Sequence, residues 1–435
     1  KIRLSAGSMG NGNVSPYSYT SEMTVSTADD IVLGGSYPSY TSVGSTVPVS
    51  LTWEKSTTYD LGLDLDFLNN RLSFSGDYYR RYTTDMYTAS VALPAVYGTG
   101  SPKGNNAEMK TDGWELSLSW RDSFKLGGKP FDYSIKAMVW DSKSVITKYV
   151  NDTGSLGTVK GFIENGGSPS SYYVGMTVGE IWGYTVAGLF RDQADIDSSA
   201  IHDFVQASDK VTRPGQVKIA DLDGNGFIDP GNFAVDDHGD LRIIGNQSPR
   251  YRYGVNLSAR WNGIGLSVFL QGVGARDWYP GSDAGMFWGK YGRPFFALIP
   301  SIHNYTDDMY SAERNNWDTA YWPRMTTYQS NGTKNWTRLL EIPNTRYIQS
   351  AAYLRVKNIQ LDYSFPKHIC SAIRLQGLKI YVNAENLFTF TPLHKYAPNF
   401  DPEALGYDTD FSSTAGDGYT YPVLKSVTLG VNITF

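Results

Sequence analysis

The chain ends on the stretch Val427-Thr428-Leu429-Gly430-Val431-Asn432-Ile433-Thr434-Phe435, in which every odd-numbered residue is apolar. A β-strand has a side-chain period of two, so this stretch predicts a strand with one apolar face and one face of Thr, Gly and Asn. The wall of an outer-membrane β-barrel needs such strands, because one face meets lipid and the other a wet lumen. A soluble sheet with one buried face gives the same alternation, so these nine residues are compatible with both.

The same alternation recurs along the chain and predicts an all-β protein. Apolar residues fall on one face in 59–67, 72–78, 114–120, 133–139, 251–261, 264–270, 359–365 and 378–384. Leu354 and Val356 lie on even positions just before Ile359, and this change of phase predicts a β-bulge. About ten strands are expected, near 1–6, 51–67, 71–88, 112–122, 130–146, 250–261, 264–277, 346–365, 375–390 and 420–435.

Short and long connections alternate between these predicted strands. The short ones are 69–70, 122–130, 262–263 and 366–375, and the long ones are 7–50, 91–111, 147–249, 278–345 and 391–420. Such long loops are uncommon in compact soluble domains, whereas membrane barrels join short periplasmic turns with long extracellular loops. The pattern favours a transmembrane antiparallel β-barrel with large extracellular segments at 147–249 and 278–345. The alternative from another class is a secreted, calcium-binding β-sandwich lectin.

Composition excludes several other classes. The 435 residues carry a net charge of −5 without a block of Lys and Arg, which makes nucleic acid an unexpected partner. No run of about 18 apolar residues is present, so no membrane-spanning helix is predicted. Cys370 is the only cysteine, and an intrachain disulfide is therefore impossible. The five His are scattered, without a nucleophile elbow or a phosphate-binding loop, and no catalytic residue is predicted.

Several ordered motifs between residue 51 and the C-terminus resemble one known family. They include LTWEKSTTY at 51–59, NNRL at 69–72, GWEL at 113–116, VFLQGVG at 268–274 and NAENLF at 383–388. Together they are similar to the C-terminal half of the barrel in SusC-like (RagA-like) TonB-dependent outer-membrane transporters.

This resemblance implies a barrel of about 22 strands in the bacterial outer membrane, with an N-terminal plug, a SusD-like lipoprotein as lid, and TonB as the energy-transducing partner. It also implies import of oligosaccharides, with oligopeptides as the alternative. The expected strands here make about half of such a barrel, and the plug and TonB box are absent from the sequence. Residues 1–6 are too few to cross a bilayer, which takes about 9 to 11 tilted residues. We therefore expect the N-terminal half of the barrel and the plug either in another chain or upstream of Lys1.

An acidic segment, DLDGNGFID at 221–229, has the spacing of an EF-hand-like loop. Its oxygen ligands would come from the side chains of Asp221, Asp223, Asn225 and Asp229 and from the carbonyl of Phe227. Position 12 is Asn232 and not the usual bidentate Glu, and the next acid is displaced to Asp240. The spacing predicts a structural calcium site, and a metal-free acidic surface turn is the alternative.

The predicted loop 278–345 is rich in aromatic residues. Candidates for contact with substrate or the lid are Trp278, Tyr279, Trp288, Tyr291, Trp317, Tyr321 and Trp322. Ring faces suit the apolar faces of sugars, and neighbouring polar groups could bind hydroxyls. Packing of one loop on another would use the same residues.

Overall fold

The computed structural model describes residues 1–12, 20, 23–44, 47, 51–90, 96, 103–157, 168–202, 212–280, 284–288, 308–324, 342–405 and 423–435. Its main element is one ten-stranded antiparallel sheet. In sheet order the strands are β1 (Ile2–Asn11), β4 (Glu54–Phe67), β5 (Leu72–Ala89), β6 (Lys103–Leu126), β7 (Lys129–Lys148), β12 (Arg250–Trp261), β13 (Ile264–Ala275), β16 (Tyr353–Ser364), β17 (Gly377–Phe390) and β18 (Ser426–Thr434). The ten strands pair in the order in which they occur in the chain, even where a long connection separates two of them, as in the wall of an up-and-down barrel. Within the described residues, β1 and β18 lie at opposite edges and the sheet does not close.

The strand register separates the two faces of the sheet. One row of directly paired residues across seven strands is Trp120, Ile135, Leu257, Val268, Ile359, Ala384 and Val427. The next row, on the opposite face, is Arg121, Ser134, Ser258, Ser267, Gln360, Asn383 and Thr428. Because a shift of one residue in any strand would mix these rows, the hydrophobic pattern determines the register. The predicted all-β class and the ten-stranded antiparallel sheet are confirmed.

Turns and a β-bulge occur where the sequence predicts them. Asn262 and Gly263, both with positive φ, connect Trp261 to Ile264, and Gly127 and Gly128 connect β6 to β7 in the same way. The predicted bulge is present, because the pairing with β13 skips Lys357.

Two predicted strands are too short at one end, and the strand predicted from residue 346 begins only at Tyr353. Strand β1 extends to Asn11, so the N-terminal strand is ten residues long and is not too short for a membrane. Strand β6 begins at Lys103, nine residues before the predicted start. In both places small and polar residues continue the backbone ladder without continuing the apolar alternation, so the sequence pattern ends too early.

The long connections form a second part of the structure, which we call the loop layer: the described residues of 149–249, 276–352 and 391–405. It contains the two-stranded pairs β8 (Glu180–Tyr184) with β11 (Leu241–Asn246), β9 (Val186–Leu189) with β10 (Val217–Ile219), and β14 (Asp277–Trp278) with β15 (Gln349–Ser350). Its helices are α1 (Gln193–Asp197), α2 (Gly285–Trp288) and the 3-10 turn Pro392–Lys395. Outside it lie the hairpin β2 (Met23–Thr27) and β3 (Ser39–Val43), and α3 (Lys367–Ala372) in a short turn.

The hydrophobic core lies mainly in the loop layer, and Ile146 at the end of β7 joins it from the sheet. Its fully buried side chains include Leu156, Phe287, Trp322, Tyr347 and Leu393. Apolar side chains of the sheet, in contrast, are largely exposed, as Leu361 is at 52% and Leu429 at 76%. In the described part of the chain no helix is long and apolar enough to span a membrane.

Candidate functional sites

The apolar face of the sheet carries an aromatic belt at the end with the short turns. Its members are Trp120, Phe124, Phe131, Tyr133, Trp261 and Tyr363. The indole nitrogen of Trp120 donates to the Tyr133 hydroxyl at 3.0 Å, and that of Trp261 donates to the Leu126 carbonyl at 3.0 Å. Rings that are apolar on one side and hydrogen-bonded on the other suit the boundary between lipid tails and headgroups.

The opposite face of the sheet is polar. A groove of about 750 Å³ lies on it near the short turns, lined among others by Arg121, Asp132, Arg260 and Asp362. Ser134 and Ser258 hydrogen-bond each other across two strands at 2.8 Å. Charged and hydroxyl side chains in this number need water or a polar partner beside them, as the lumen of a barrel provides.

Four of the aromatic residues expected at the substrate or lid are buried inside the loop layer. Trp278, Tyr279, Trp288 and Trp322 expose at most 7% of their surface. Trp322 stacks on Tyr347 with ring centroids 5.6 Å apart. These four side chains pack one loop segment against another, which is the alternative role that the sequence allows. Their contact with a substrate remains a prediction.

The other three aromatic candidates lie in different surroundings. Trp317 is partly exposed at the edge of the core. Tyr321 is stacked on Tyr396 at 3.7 Å, which joins segment 308–324 to segment 391–405. Tyr291 lies outside the described residues.

A buried charge network, which the sequence pattern does not indicate, ties the loop layer to the sheet. Arg355 of β16 has a side chain only 3% exposed and forms ion pairs with Asp401 and Glu403. Lys357 adds a second cation at 2.7 Å from Glu403. Arg276 donates to the carbonyls of Pro402 and Leu405. Arg355 and its two carboxylate partners lie more than forty residues apart along the chain, so only the packing of segment 391–405 against β16 brings them together.

The acidic segment folds as a compact loop between β10 and β11. Asp221 accepts backbone N–H groups from Gly224 at 2.7 Å and Gly226 at 3.0 Å, and these bonds lower the pKa of its carboxyl. Gly224 and Gly226 have positive φ, which explains glycine at both positions. The Asn225 side-chain oxygen accepts from the backbone of Phe227 at 2.7 Å.

Asp240 completes the acidic cluster from the far side of the insertion. Its carboxylate is fully buried and accepts the N–H groups of Leu222 at 2.6 Å and Asp229 at 3.1 Å. Burial raises the pKa of this carboxyl, and the charges of Asp223 and Asp221 raise it further. Oxygens of Asp221, Asp223 and Asp240 lie within 4.8 Å of one another. The structure therefore brings together three of the six predicted metal-ligating residues.

The remaining three predicted ligands sit at the rim of this cluster. The Asn225 amide nitrogen donates to Asp223 at 3.1 Å and to Asp229 at 3.2 Å, so it lies between two carboxylates. The other oxygen of Asp229 accepts from Gly231 at 2.7 Å. The Phe227 side chain is 47% exposed, and the backbone on either side of it pairs with Ile201.

With these features in place, the chain can be compared with known proteins. Residues 10–214 match the family model described as TonB dependent receptor-like, beta-barrel. TonB-dependent receptor P3 of Formosa agariphila is 26% identical over 100% of this chain and 39% of its own length. TonB-dependent receptor SusC of Bacteroides thetaiotaomicron is 24% identical over 89% of this chain and 32% of its own length. The chain thus spans about 40% or less of these relatives.

Solved structures agree on the fold. The RagAB peptide importer in its open-open state superimposes with a TM-score of 0.68 and 19% identity, over 100% of this chain and 40% of that one. The closed-closed state of the same importer gives a TM-score of 0.66 and 20% identity.

The chain is therefore similar to TonB-dependent receptors along its length, and its predicted resemblance to the SusC-like type is confirmed. Proteins of this kind reside in the bacterial outer membrane, as the sequence predicts for this chain. They form a class of receptors and transporters and not a class of enzymes.

Proposed function

We propose that this chain forms part of the wall and the loop layer of an importer for oligosaccharides in the bacterial outer membrane. The observation that carries the proposal is the uninterrupted separation of the sheet into an apolar row such as Leu257 and Val268 and a polar row such as Ser258 and Ser267. One face suits lipid and the other a hydrated passage. Similarity to TonB-dependent receptors along the whole chain supports energy supply by TonB.

The proposed partners complete this arrangement. Further strands would pair with the edges of β1 and β18, because unpaired backbone groups in lipid cost several kcal/mol each, and a plug would fill the passage that the closed wall encloses. A SusD-like lipoprotein would cover the loop layer, which lies at the end of the sheet opposite the short turns. The packed aromatic core of the loop layer, which includes Trp322, would give the lipoprotein a rigid surface to bind.

Oligosaccharides are the leading substrate class, because Trp317 is only partly buried and aromatic ring faces suit the apolar faces of sugars. Oligopeptides are the second candidate, favoured by the similarity in fold to an importer whose title names peptides. Both classes need a polar passage, so the wall alone is neutral between them.

Uptake by cells that express the full-length protein with its lipoprotein tests these proposals. We expect labelled oligosaccharides to enter, and a proton uncoupler or deletion of TonB to stop the uptake. Entry of peptides with exclusion of sugars would support the second candidate. Uptake of neither class, with both proteins assembled in the membrane, would refute import of these nutrients.

A further inference from the structure

The acidic cluster between β10 and β11 concentrates negative charge around one buried carboxylate, that of Asp240. Asp221, Asp223 and Asp240 each contribute an oxygen to one small region, and Asp240 is completely buried. Among the ion pairs formed by described residues, none reaches these three carboxylates. Backbone N–H groups offset only part of this charge, and no cationic side chain of the described residues pairs with the cluster.

A second observation comes from β8, the strand that pairs with β11 next to Asp240. Tyr184, the last residue of β8, is 1% exposed, and its hydroxyl has no hydrogen-bond partner within the described structure. Tyr184 pairs with Leu241, the residue that follows Asp240, and burial together with the charges of Asp240 and Asp229 raises the pKa of its phenol. Buried polar atoms are normally paired, so an orphaned hydroxyl beside an uncompensated carboxylate indicates a missing ligand.

We propose that this cluster is a calcium site, in which Asp221, Asp223 and Asp240 bind the ion and the Tyr184 hydroxyl accepts from a water on it. The set contains only oxygen donors and no His or Cys, which selects hard cations. Calcium accepts oxygen donors in variable geometry, whereas magnesium demands a near-ideal octahedron, so we assign the site to calcium.

Calcium at this position would join segments that are separate in the chain. Asp221 follows β10, Asp240 precedes β11, and the backbone of Ile201 bonds to Gly226 at 2.8 Å and to Ile228 at 2.7 Å. The ion would therefore stiffen the part of the loop layer that joins β8 to β11. This inference does not depend on which nutrient is imported.

Calorimetric titration of the full-length transporter in detergent, after removal of divalent ions with a chelator, tests the site. We expect one saturable calcium per chain, with a dissociation constant of about 10⁻⁴ to 10⁻³ M or tighter. Asp223→Asn should weaken binding at least about tenfold, because one charged ligand is lost. The exposed Asp223 carboxylate makes this variant safe for folding, and Asp236→Asn, an exposed acid in the same insertion, is the matched control.

Binding by the native protein and by Asp236→Asn, together with weak binding by Asp223→Asn, supports the site. A Tyr184→Phe variant that folds and binds calcium more weakly also supports it, because the hydroxyl then acts on the ion. Absence of saturable binding up to about 10 mM calcium, or equal affinity of the two Asn variants, overturns the proposal. Equal affinity for magnesium overturns the assignment to calcium.

Discussion

Replacing Arg355 with Met should release the segment 391–405 from the sheet. In the native structure the guanidinium pairs with Asp401 and Glu403 and donates to Thr389 at 2.9 Å. Without it, Asp401 is left as a carboxylate whose side chain is only 8% exposed. Breaking a buried pair by removing one partner typically costs about 3 to 5 kcal/mol.

The remaining contacts place the effect at the low end of that range. Asp401 keeps the N–H groups of Glu403 at 2.9 Å and Val423 at 3.1 Å, and Glu403 keeps Lys357. We therefore expect a loss of about 3 kcal/mol for the segment, which corresponds to a factor of about 150 in its opening equilibrium. The sheet itself should stay folded, since its hydrogen bonds do not involve this side chain.

Hydrogen exchange of the full-length protein in detergent measures this opening, through the amide of Ala397, which donates to Leu393 at 2.9 Å. Lys357→Met is the matched control and should change exchange by less than about fivefold, because an ion pair that is partly exposed contributes about 1 kcal/mol at most. Combining Arg355→Met with Asp401→Asn and Glu403→Gln should restore most of the protection. Similar exchange in Arg355→Met and Lys357→Met would refute the reasoning.

Three further predictions concern other parts of the molecule. Val431→Arg on the apolar face should destabilise the inserted barrel by about 2 to 4 kcal/mol and Thr428→Arg much less, measured by urea unfolding in lipid; equal losses would refute the assignment of faces. Burial lowers the pKa of His202, whose ring accepts the N–H of Ile219, so the loop layer should be fully stable above pH 6.5 and lose stability as pH falls below it; in His202→Gln this dependence, followed by hydrogen exchange, should disappear. Trp322→Ala should cost about 3 to 5 kcal/mol in the loop layer, seen as faster proteolysis there while the sheet persists.

Much of the sheet is readable from the sequence, because its physical rule is local. Lipid on one side and water on the other impose a period of two on each strand, and the last nine residues already contain it. The bulge at Lys357 and the turn at Asn262 also leave local signals, a change of phase and an Asn-Gly pair. The strands that were predicted too short are those where Gly, Ser and Asn replace the apolar residues, since backbone pairing does not require them.

Tertiary structure decides what the loop residues do. A Trp or Tyr residue suits both a ligand-binding surface and a hydrophobic core, so the sequence of 278–345 left both roles open. Only the structure shows that Trp322 packs against Tyr347 in the core. The acidic loop was visible as a spacing of oxygen donors. The approach of Asp240 and Tyr184 to it depends on the pairing of β8 with β11, which brings together residues more than fifty positions apart. The sequence by itself thus determined the wall, because the lipid or water beside each residue selects its side chain. The tertiary structure determined the loop layer, because contacts between segments that are distant in the chain decide which of its side chains are buried and which charges are paired.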